Sequence, residues 1–466
     1  ASRANMKEIM LLFARNVKST WTFGGARRAS SAASYSGNRH VQQAENDYFL
    51  IWLKELAGTQ VSSNLYIGNS RRGRSLFASN KIKKGQCMIK VPYHAQLASE
   101  DLHPAVNALL GNDVGSISKL AVHLLMEISL GQNSSWRPYF NCLPTLQEMH
   151  STLVWGEDEM SMICKSSLYL ETINLKAQIK VDFLKIQAAL ESFPEFLDIF
   201  SFEEFMHAHA LVRSRAWRRT NGVSLVPFAD FSNHDGLSKT ILLNDEVRKE
   251  SQVFASRDFA PHEEVFICYG RLPNSSLLLD YGFTVPYNSH DEVRIHIKPP
   301  HNDPLREMKL HTWKIFQSRL FLEDSRLDSS WDSFAIKEVK STSESGKGLP
   351  QSLRAFARVL CCKTRRELRD LVSEARNRDG RLARRSLSSR QEVEAHEFLR
   401  DQVALLVDEY VASVELLSHN TGGDREKMAE DLLRGQLRVL KSALAWLARY
   451  VSCLSRDAFG DNLNTL

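Results

Sequence analysis

Apolar positions along the chain change their spacing several times, and each spacing predicts a different kind of structure. Residues 45–57 carry apolar side chains at helical spacing, whereas residues 65–97 contain short β-like runs that glycines separate. Helical spacing then returns over residues 117–130, 166–190 and 201–217. Further β-like runs follow between residues 223 and 297, among them Val265 to Cys268 and the cleanly alternating Val293-Ile295-Ile297. The pattern predicts a mixed α and β region with a helical insert.

After Pro299-Pro300 the pattern is helical. Leu399, Val403, Leu406, Tyr410 and Leu417 share one helical face, and Leu433, Leu437, Leu440, Leu444 and Leu447 share another. We therefore place a domain boundary near Pro300. The predicted fold class is α+β: short strands with a helical insert at about residues 100–210, followed by an all-α domain over residues 301–466.

The charge of the chain is concentrated at its start. The 466 residues carry a net charge of +5, whereas residues 1–40 alone carry +6 and include six serines. Ile9, Leu12, Phe13 and Val17 can share one helical face there. Amphipathic segments rich in Arg and Ser and poor in acid are typical of organelle transit peptides, so we predict one at residues 1–40; a tail without a targeting role is the alternative.

The cysteines and the apolar runs of the chain argue against several classes of protein. The seven cysteines are scattered and form no C-x-x-C pair, which argues against a disulfide framework and a structural zinc site, and we expect no metal. No apolar run approaches the roughly 18 residues that span a membrane.

Two polar segments interrupt the helical pattern after Pro300. The composition of residues 341–348 predicts a flexible loop. The six arginines of residues 376–390 fit an acidic partner or, more simply, a solvated surface.

Three segments contain residues suited to ligand binding and catalysis. They are Arg72-Gly73-Arg74-Ser75; Ser214-Arg215 with Pro227 to His234 (PFADFSNH); and Glu263 to Gly270 (EEVFICYG) with Asp280-Tyr281-Gly282-Phe283. Gly73 lacks a Cβ, so backbone there can approach a ligand closely; a β-turn glycine without a ligand is the alternative. Arg215 can bind a carboxylate bidentately or form a structural ion pair.

In order and spacing the three segments resemble a SET domain, the fold of protein methyltransferases that use S-adenosylmethionine. The helical insert and the helical tail resemble the branch that includes the plant Rubisco large-subunit lysine methyltransferase. The resemblance covers residues 45–460. It implies a SET domain over residues 45–300 and a helical substrate-binding domain over residues 301–466.

The resemblance also implies roles for individual residues. Tyr269 matches the catalytic tyrosine. The implied cofactor contacts are Arg72, Gly73, Arg74, Arg215, Asn233, His234 and Phe283, and the implied substrate contacts are Arg215, Arg219, Asp230, Tyr269 and Tyr281. The chain departs from the family at Ser75, where a glycine is usual, and at Asp235, where serine is common. Residues 239–250 lack the tyrosine that the family places there.

The chemistry of methyl transfer to a lysine amine suggests roles for the aromatic residues. A lysine amine has a reference pKa of about 10.4, so lowering it to near 7.4 takes about three units, or roughly 4 kcal/mol. Burial in an apolar channel and a neighbouring positive charge both lower it. Tyr269 can then orient the neutral amine, and Tyr281 and Phe283 can hold the methylated cation by cation–π attraction. Core packing is the alternative explanation for Tyr281 and Phe283.

The resemblance therefore implies an enzyme: a protein-lysine N-methyltransferase that uses S-adenosylmethionine. Two alternatives stay open, namely a protein-histidine N-methyltransferase and a non-catalytic module that keeps the SET fold. The implied partner is a protein substrate docked by the helical domain, and we expect a monomer with neither a nucleic-acid nor a membrane partner. The expected location is the chloroplast, with the mitochondrion or the cytoplasm as alternatives.

Overall fold

The computed structural model describes residues 35–58, 61, 64–191, 201–320, 332–340, 348–378, 389–418 and 422–460. The chain divides into two compact units. The first comprises Ala1–Trp155, Thr172–Leu272 and Ser276–Gly282, and the second comprises Gly156–Glu171, Pro273–Ser275 and Phe283–Leu466. The predicted transit peptide, the predicted loop at 341–348 and the arginine-rich stretch at 376–390 lie largely outside the described residues.

The first unit begins with helix α1 (Tyr35–Ala57) and an antiparallel hairpin of β1 (Leu65–Ser70) and β2 (Gly73–Ala78). Leu65 pairs with Ala78 and Ser70 with Gly73, so the turn between the strands holds only Arg71 and Arg72. Leu65, Ile67, Leu76 and Ala78 are buried. The predicted helix at 45–57 and the first two predicted strands are confirmed.

Strands β3 (Cys87–Pro92) and β4 (Leu97–Ala98) lead into the helical insert. Its helices are α2 (Pro104–Leu110), α3 (Ser116–Ser129), α4 (Arg137–Phe140), α5 (Glu157–Met162), α6 (Ser167–Ala189) and α7 (Phe202–Arg215). Helix α7 starts at a capping box, in which the Ser201 amide donates to Glu204 (2.7 Å) and the Glu204 amide donates to the Ser201 hydroxyl (3.2 Å). The three helices predicted in this region are confirmed to within two residues.

Helix α7 continues directly into β5 (Ala216–Arg219), which pairs with β6 (Gly222–Leu225). After a buried turn, β7 (Leu242–Asp245) and β8 (Glu250–Phe254) form a hairpin. The strand orders are β4-β6-β5 and β3-β8-β7, with antiparallel pairing throughout. This region is the sheet-rich part of the predicted α+β fold.

The strand predicted over Val265 to Cys268 is wrong as a regular strand. The segment makes isolated bridges instead, from Glu264 to Phe77 in antiparallel sense and from Ile267 to His234 in parallel sense. Because its backbone pairs with two different segments in turn, it forms no continuous ladder with either. Val265 and Ile267 are nevertheless fully buried, which explains the apolar run.

The second unit contains helices and a two-stranded sheet of β9 (Glu292–His296) and β10 (Ser333–Lys337). The helices are α8 (Arg306–Leu320), α9 (Gln351–Cys361), α10 (Arg365–Arg378), α11 (Ser389–Ser418) and α12 (Asp424–Gly460). Leu399, Val403 and Tyr410 of α11 and Leu433, Leu440 and Leu447 of α12 are buried, as their spacing predicts. Strand β10 was not predicted, because five alternating residues between helical patterns are a weak signal.

Candidate active site

The last residue of helix α7 is tied to a buried carboxylate. Arg215 Nη1 donates to the backbone oxygen of Asp230 (3.0 Å) and to its Oδ2 (3.2 Å), and the Tyr139 hydroxyl donates to the same Oδ2 (2.8 Å). Burial raises the pKa of Asp230, and the adjacent Arg215 opposes that rise. The pair therefore joins a carboxyl group and a guanidinium group inside the unit.

Tyr269 is held at two points. Its hydroxyl donates to the backbone oxygen of Ser232 (2.8 Å), and its backbone N–H donates to Nδ1 of His234 (3.1 Å). Because Nδ1 accepts, the proton of the neutral His234 ring lies on Nε2. Burial raises the pKa of Tyr269 well above its ordinary value, so the phenol stays neutral and can donate a hydrogen bond.

Aromatic rings surround Tyr269. The Tyr281 ring lies 4.7 Å from the Tyr269 ring at 31°, and the Trp217 ring stands edge-on at 6.4 Å and 89°. These separations are typical of attractive aromatic pairs. Sequence reasoning missed Trp217, although its place two residues after Arg215 was a usable signal. Its Nε1 is buried and has no hydrogen-bond partner within the described part of the chain, so the cluster presents an unused donor there.

The turn between β1 and β2 brings two arginines to the same region. Gly73 has a φ of +91°, a conformation that favours glycine. Arg72 Nη1 donates to the backbone oxygen of His234 (2.8 Å). Arg74 donates to the backbone oxygen of Cys142 and lies 5.2 Å from the centre of the Phe231 ring. The hairpin end is thereby fastened to the Asn-His segment.

Glu264, which sequence reasoning did not assign, links this turn to Asn233. Its Oε1 accepts from the Ser75 hydroxyl (2.6 Å) and from Asn233 Nδ2 (3.2 Å), while Asn233 Nδ2 also lies 3.3 Å from the backbone oxygen of Arg74. Ser75 is fully buried. The serine at the usual glycine position therefore has a hydrogen-bond partner of its own. Asp235, the other departure, accepts from the backbone N–H of Leu237 (2.9 Å) and so caps a turn.

One predicted site residue, Arg219, has its described contacts elsewhere. Arg219 forms an ion pair with Glu100 (3.3 Å) and lies 3.8 Å from the centre of the Tyr93 ring. The structure thus does not join Arg219 to the Tyr269 cluster. Phe283 belongs to the second unit, whereas Tyr269 and Tyr281 belong to the first.

Unpaired polar atoms test whether the site suits a charged ligand. Four buried atoms have no hydrogen-bond partner among the residues that the structure describes: Nε of Arg74, Nε of Arg215, Oγ of Ser232 and Oδ1 of Asp230. Buried polar groups are normally satisfied, so such a group of donors and an acceptor points to a missing polar ligand. A zwitterionic amino-acid group offers both a carboxylate and an ammonium. The residues therefore fit the charged end of S-adenosylmethionine.

The described residues contain no cluster of His, Cys, Asp and Glu placed to hold a metal ion. Within the same residues, no helix is long and apolar enough to cross a membrane.

Two histidines of helix α7, His207 and His209, are buried. Burial lowers the pKa of His207 to about 4 and the pKa of His209 to about 3.

Comparisons with known proteins agree with this geometry. The SET domain model matches residues 73–270, and the Rubisco LSMT substrate-binding model matches residues 300–440. The solved structure of the SET domain of LSMT bound to lysine and AdoHcy superposes with a TM-score of 0.72 at 20% identity, covering 89% of this chain and 93% of that one. Rubisco LSMT bound to AdoMet gives 0.71 at 21% identity, over 88% and 93%.

Curated relatives are 26–27% identical to this chain. Ribosomal lysine N-methyltransferase 4 of Saccharomyces cerevisiae is 26% identical over 51% of this chain and 55% of its own length. The human actin-histidine N-methyltransferase is 26% identical over 85% and 68%. The chloroplastic [fructose-bisphosphate aldolase]-lysine N-methyltransferase of Arabidopsis thaliana is 27% identical over 56% of each. The chain thus spans little more than half the length of the yeast and Arabidopsis relatives.

The two family models follow each other along the chain, and the solved structures share its fold over most of its length. The chain therefore belongs to the SET-domain proteins that carry a Rubisco LSMT substrate-binding domain.

Proposed function

We propose that this protein is an S-adenosylmethionine-dependent protein-lysine N-methyltransferase in which Tyr269 is the catalytic residue. The observation that carries the proposal is the placement of the Tyr269 hydroxyl. It is held 2.8 Å from the Ser232 carbonyl, inside an aromatic cluster and beside buried, unpaired donors. A fixed hydroxyl at the edge of such a site can orient an incoming amine.

The cofactor supplies a methyl group on a positively charged sulfur. The backbone at Gly73 and the side chains of Arg74, Arg215 and Asn233 bind its charged end in this proposal, with Arg72 and His234 holding the surrounding turns together. Support comes from the unpaired Nε atoms of both Arg74 and Arg215. Asp230 holds Arg215 through Oδ2, which accepts from Arg215 and Tyr139, and its role as a substrate contact stays a prediction.

Tyr269, Tyr281 and Trp217 form the acceptor pocket in this proposal. Burial raises the pKa of Tyr281 to about 12, with the Asp280 charge adding to the rise, so both tyrosines are neutral at working pH. Neutral rings keep the negative π-faces that attract a methylated ammonium. Phe283 as a further wall and Arg219 as a substrate contact stay predictions.

The proposal extends to the rest of the chain. Residues 45–300 form the catalytic domain and residues 301–466 dock the protein substrate, which the match to a substrate-binding domain supports. Residues 1–40 direct the protein to the chloroplast, supported by their charge and by one chloroplastic relative. The mitochondrion and the cytoplasm remain the alternative locations. A monomer without a nucleic-acid partner completes the proposal.

The direct test is methyl transfer to candidate substrates. Tritiated S-adenosylmethionine and the purified protein are incubated separately with ribosomes, actin, fructose-bisphosphate aldolase and Rubisco, which the names of the similar proteins suggest. Mass spectrometry then locates the labelled residue, which we expect to be a lysine. Cofactor binding without transfer to any of these proteins or to organelle extract would favour the non-catalytic module.

A protein-histidine N-methyltransferase is the second candidate. The specific observation in its favour is the breadth of the match to the human actin-histidine N-methyltransferase, which covers 85% of the chain. The pH dependence of the rate separates the two. A lysine amine must lose a proton, so its rate rises steeply between about pH 7 and 9, whereas histidine, with a pKa of about 6.5, is already mostly neutral and gives a flatter profile.

A further inference from the structure

Tyr281 sits at the end of an unusual turn. Residues Leu277–Tyr281 form a π-helical turn, which the Gly282 N–H closes by donating to the Leu277 oxygen (3.0 Å). Such turns hold an extra residue relative to an α-helix and are often found at functional sites. The turn ends by placing the Tyr281 ring 4.7 Å from Tyr269. The position of the acceptor pocket wall therefore depends on what holds this turn.

Two side chains from different elements hold it. Arg213 of helix α7 donates from Nε (2.9 Å) and Nη2 (2.5 Å) to Oδ1 of Asp280, the residue before Tyr281. The Ser151 hydroxyl donates to the backbone oxygen of Leu279 (2.5 Å). The side chains of Arg213 and Asp280 are only 23% and 28% exposed, so solvent screens their attraction less than at an open surface.

The same end of helix α7 also holds Tyr269, which lies on the other side of the acceptor pocket. Arg213 and Arg215 are two residues apart, so their side chains leave α7 about 200° apart. Arg215 holds Asp230, the middle residue of the 3-10 turn Ala229–Phe231. The residue after that turn, Ser232, provides the backbone oxygen that accepts from the Tyr269 hydroxyl. One helix turn thus fixes Tyr269 through Arg215 and Tyr281 through Arg213.

We propose that Arg213 and Asp280 are positioning residues of the methyl-transfer site, and that their ion pair sets the separation between the Tyr281 and Tyr269 rings. The inference rests on the proposed function for its catalytic consequence, but its structural part stands alone. A pair that contributed only to stability would leave the Tyr281 ring where it is when it is broken in a folded protein.

The structural part is tested by fluorine NMR on the full chain labelled with 3-fluorotyrosine. The Tyr281 resonance is identified by its loss in Tyr281→Phe. In Arg213→Gln and in Asp280→Asn we expect that resonance to shift and broaden. The matched control is Arg425→Gln, because Arg425 donates to Glu159 at 2.9 and 2.8 Å and that pair is 23% and 32% exposed. An unchanged Tyr281 resonance in both variants would overturn the proposal.

The catalytic part is measured on whichever substrate accepts methyl groups. We expect Arg213→Gln to lower kcat by roughly 10- to 100-fold, the loss typical of a small misplacement, with little change in cofactor Kd. Reversing the pair, with Arg213→Asp and Asp280→Arg together, should recover part of that loss. The activity control is Lys90→Gln, which breaks the ion pair of Lys90 with Glu250 (3.5 Å) in the first unit, away from the residues assigned to the site and to substrate docking. Equal kcat losses in Arg213→Gln and Lys90→Gln would contradict the positioning role. A wild-type protein that transfers no methyl group would refute the proposed function and leave the NMR result to decide this inference.

Discussion

Arg215 and Asp230 show how single residues combine into a site. The sequence indicates each as a ligand contact, but the structure pairs them at 3.2 Å and adds Tyr139 as a second donor to the carboxylate. A buried carboxylate that loses its cationic partner is strongly destabilising. Arg215 therefore has a structural task beside any contact with cofactor.

We predict that Arg215→Ala lowers the free energy of unfolding by about 3–5 kcal/mol, since it leaves the Asp230 charge buried and unpaired. Urea denaturation of the full chain measures this. Adding Asp230→Asn should restore part of the loss, because the neutral amide needs no cation. Unchanged stability in Arg215→Ala would mean that Asp230 is already neutral. Cofactor affinity is best compared in Arg215→Lys, which keeps the charge.

At the scale of an element, Gly282 shows how one residue allows the π-helical turn Leu277–Tyr281 to pack closely against its neighbour. It ends the π-helical turn with a φ of +77°, and a Cβ there would lie 2.5 Å from the backbone nitrogen of Ser151. The turn can therefore approach the segment around Ser151 only because no side chain intervenes. This close approach is what allows the Ser151 hydroxyl to reach the Leu279 oxygen.

Gly282→Ala is expected to destabilise the protein more than Gly85→Ala. Both glycines have positive φ, at +77° and +81°, but a Cβ at Gly85 meets no atom within 4 Å. Each substitution pays roughly 1–2 kcal/mol for the left-handed conformation. Gly282→Ala adds about 1–3 kcal/mol of overpacking. Chemical denaturation of both variants measures the difference, and equal losses would contradict the close contact.

At the scale of the whole molecule, the middle of the chain contributes to the second unit. Residues Gly156–Glu171 belong to it, with Met160, Ile163 and Leu168 buried. Arg425 pairs with Glu159, and the Tyr410 hydroxyl donates to the Lys165 oxygen (3.1 Å). The proposed boundary at Pro300 therefore matches the change in sequence pattern, but it does not match the packing. Residues 156–171, which precede the boundary, belong to the same unit as the helices that follow it.

A chain ending at Pro300 is accordingly expected to aggregate, because its residues 156–171 lose the helices that cover them. A chain ending at Gly460, which removes only residues outside those described, should behave as the full-length protein does. Size-exclusion chromatography of both proteins gives the answer. A soluble, monomeric shorter protein would show that the first 300 residues fold independently.

The sequence predicts most of the helices and strands, but few of the side-chain contacts that form the site. Periodic spacing located β1, β2, α7, α11 and α12, because burial of one face leaves a regular pattern. It gave no sign that Arg215 meets Asp230 or that Arg213 meets Asp280, since such pairs join residues distant in the chain. Trp217 escaped notice because a lone tryptophan is usually part of a core.

The most direct test of the central claim is kcat in Tyr269→Phe. The change removes the hydroxyl that donates to Ser232 and keeps the ring beside Tyr281. An interaction made mainly in the transition state affects kcat and leaves cofactor Kd unchanged. We predict a loss of about 10²–10³-fold in kcat. Tyr66→Phe, which removes a hydroxyl 3.2 Å from Nδ1 of His262 and outside the proposed site, is the matched control and should keep its activity. Full activity in Tyr269→Phe would contradict the account.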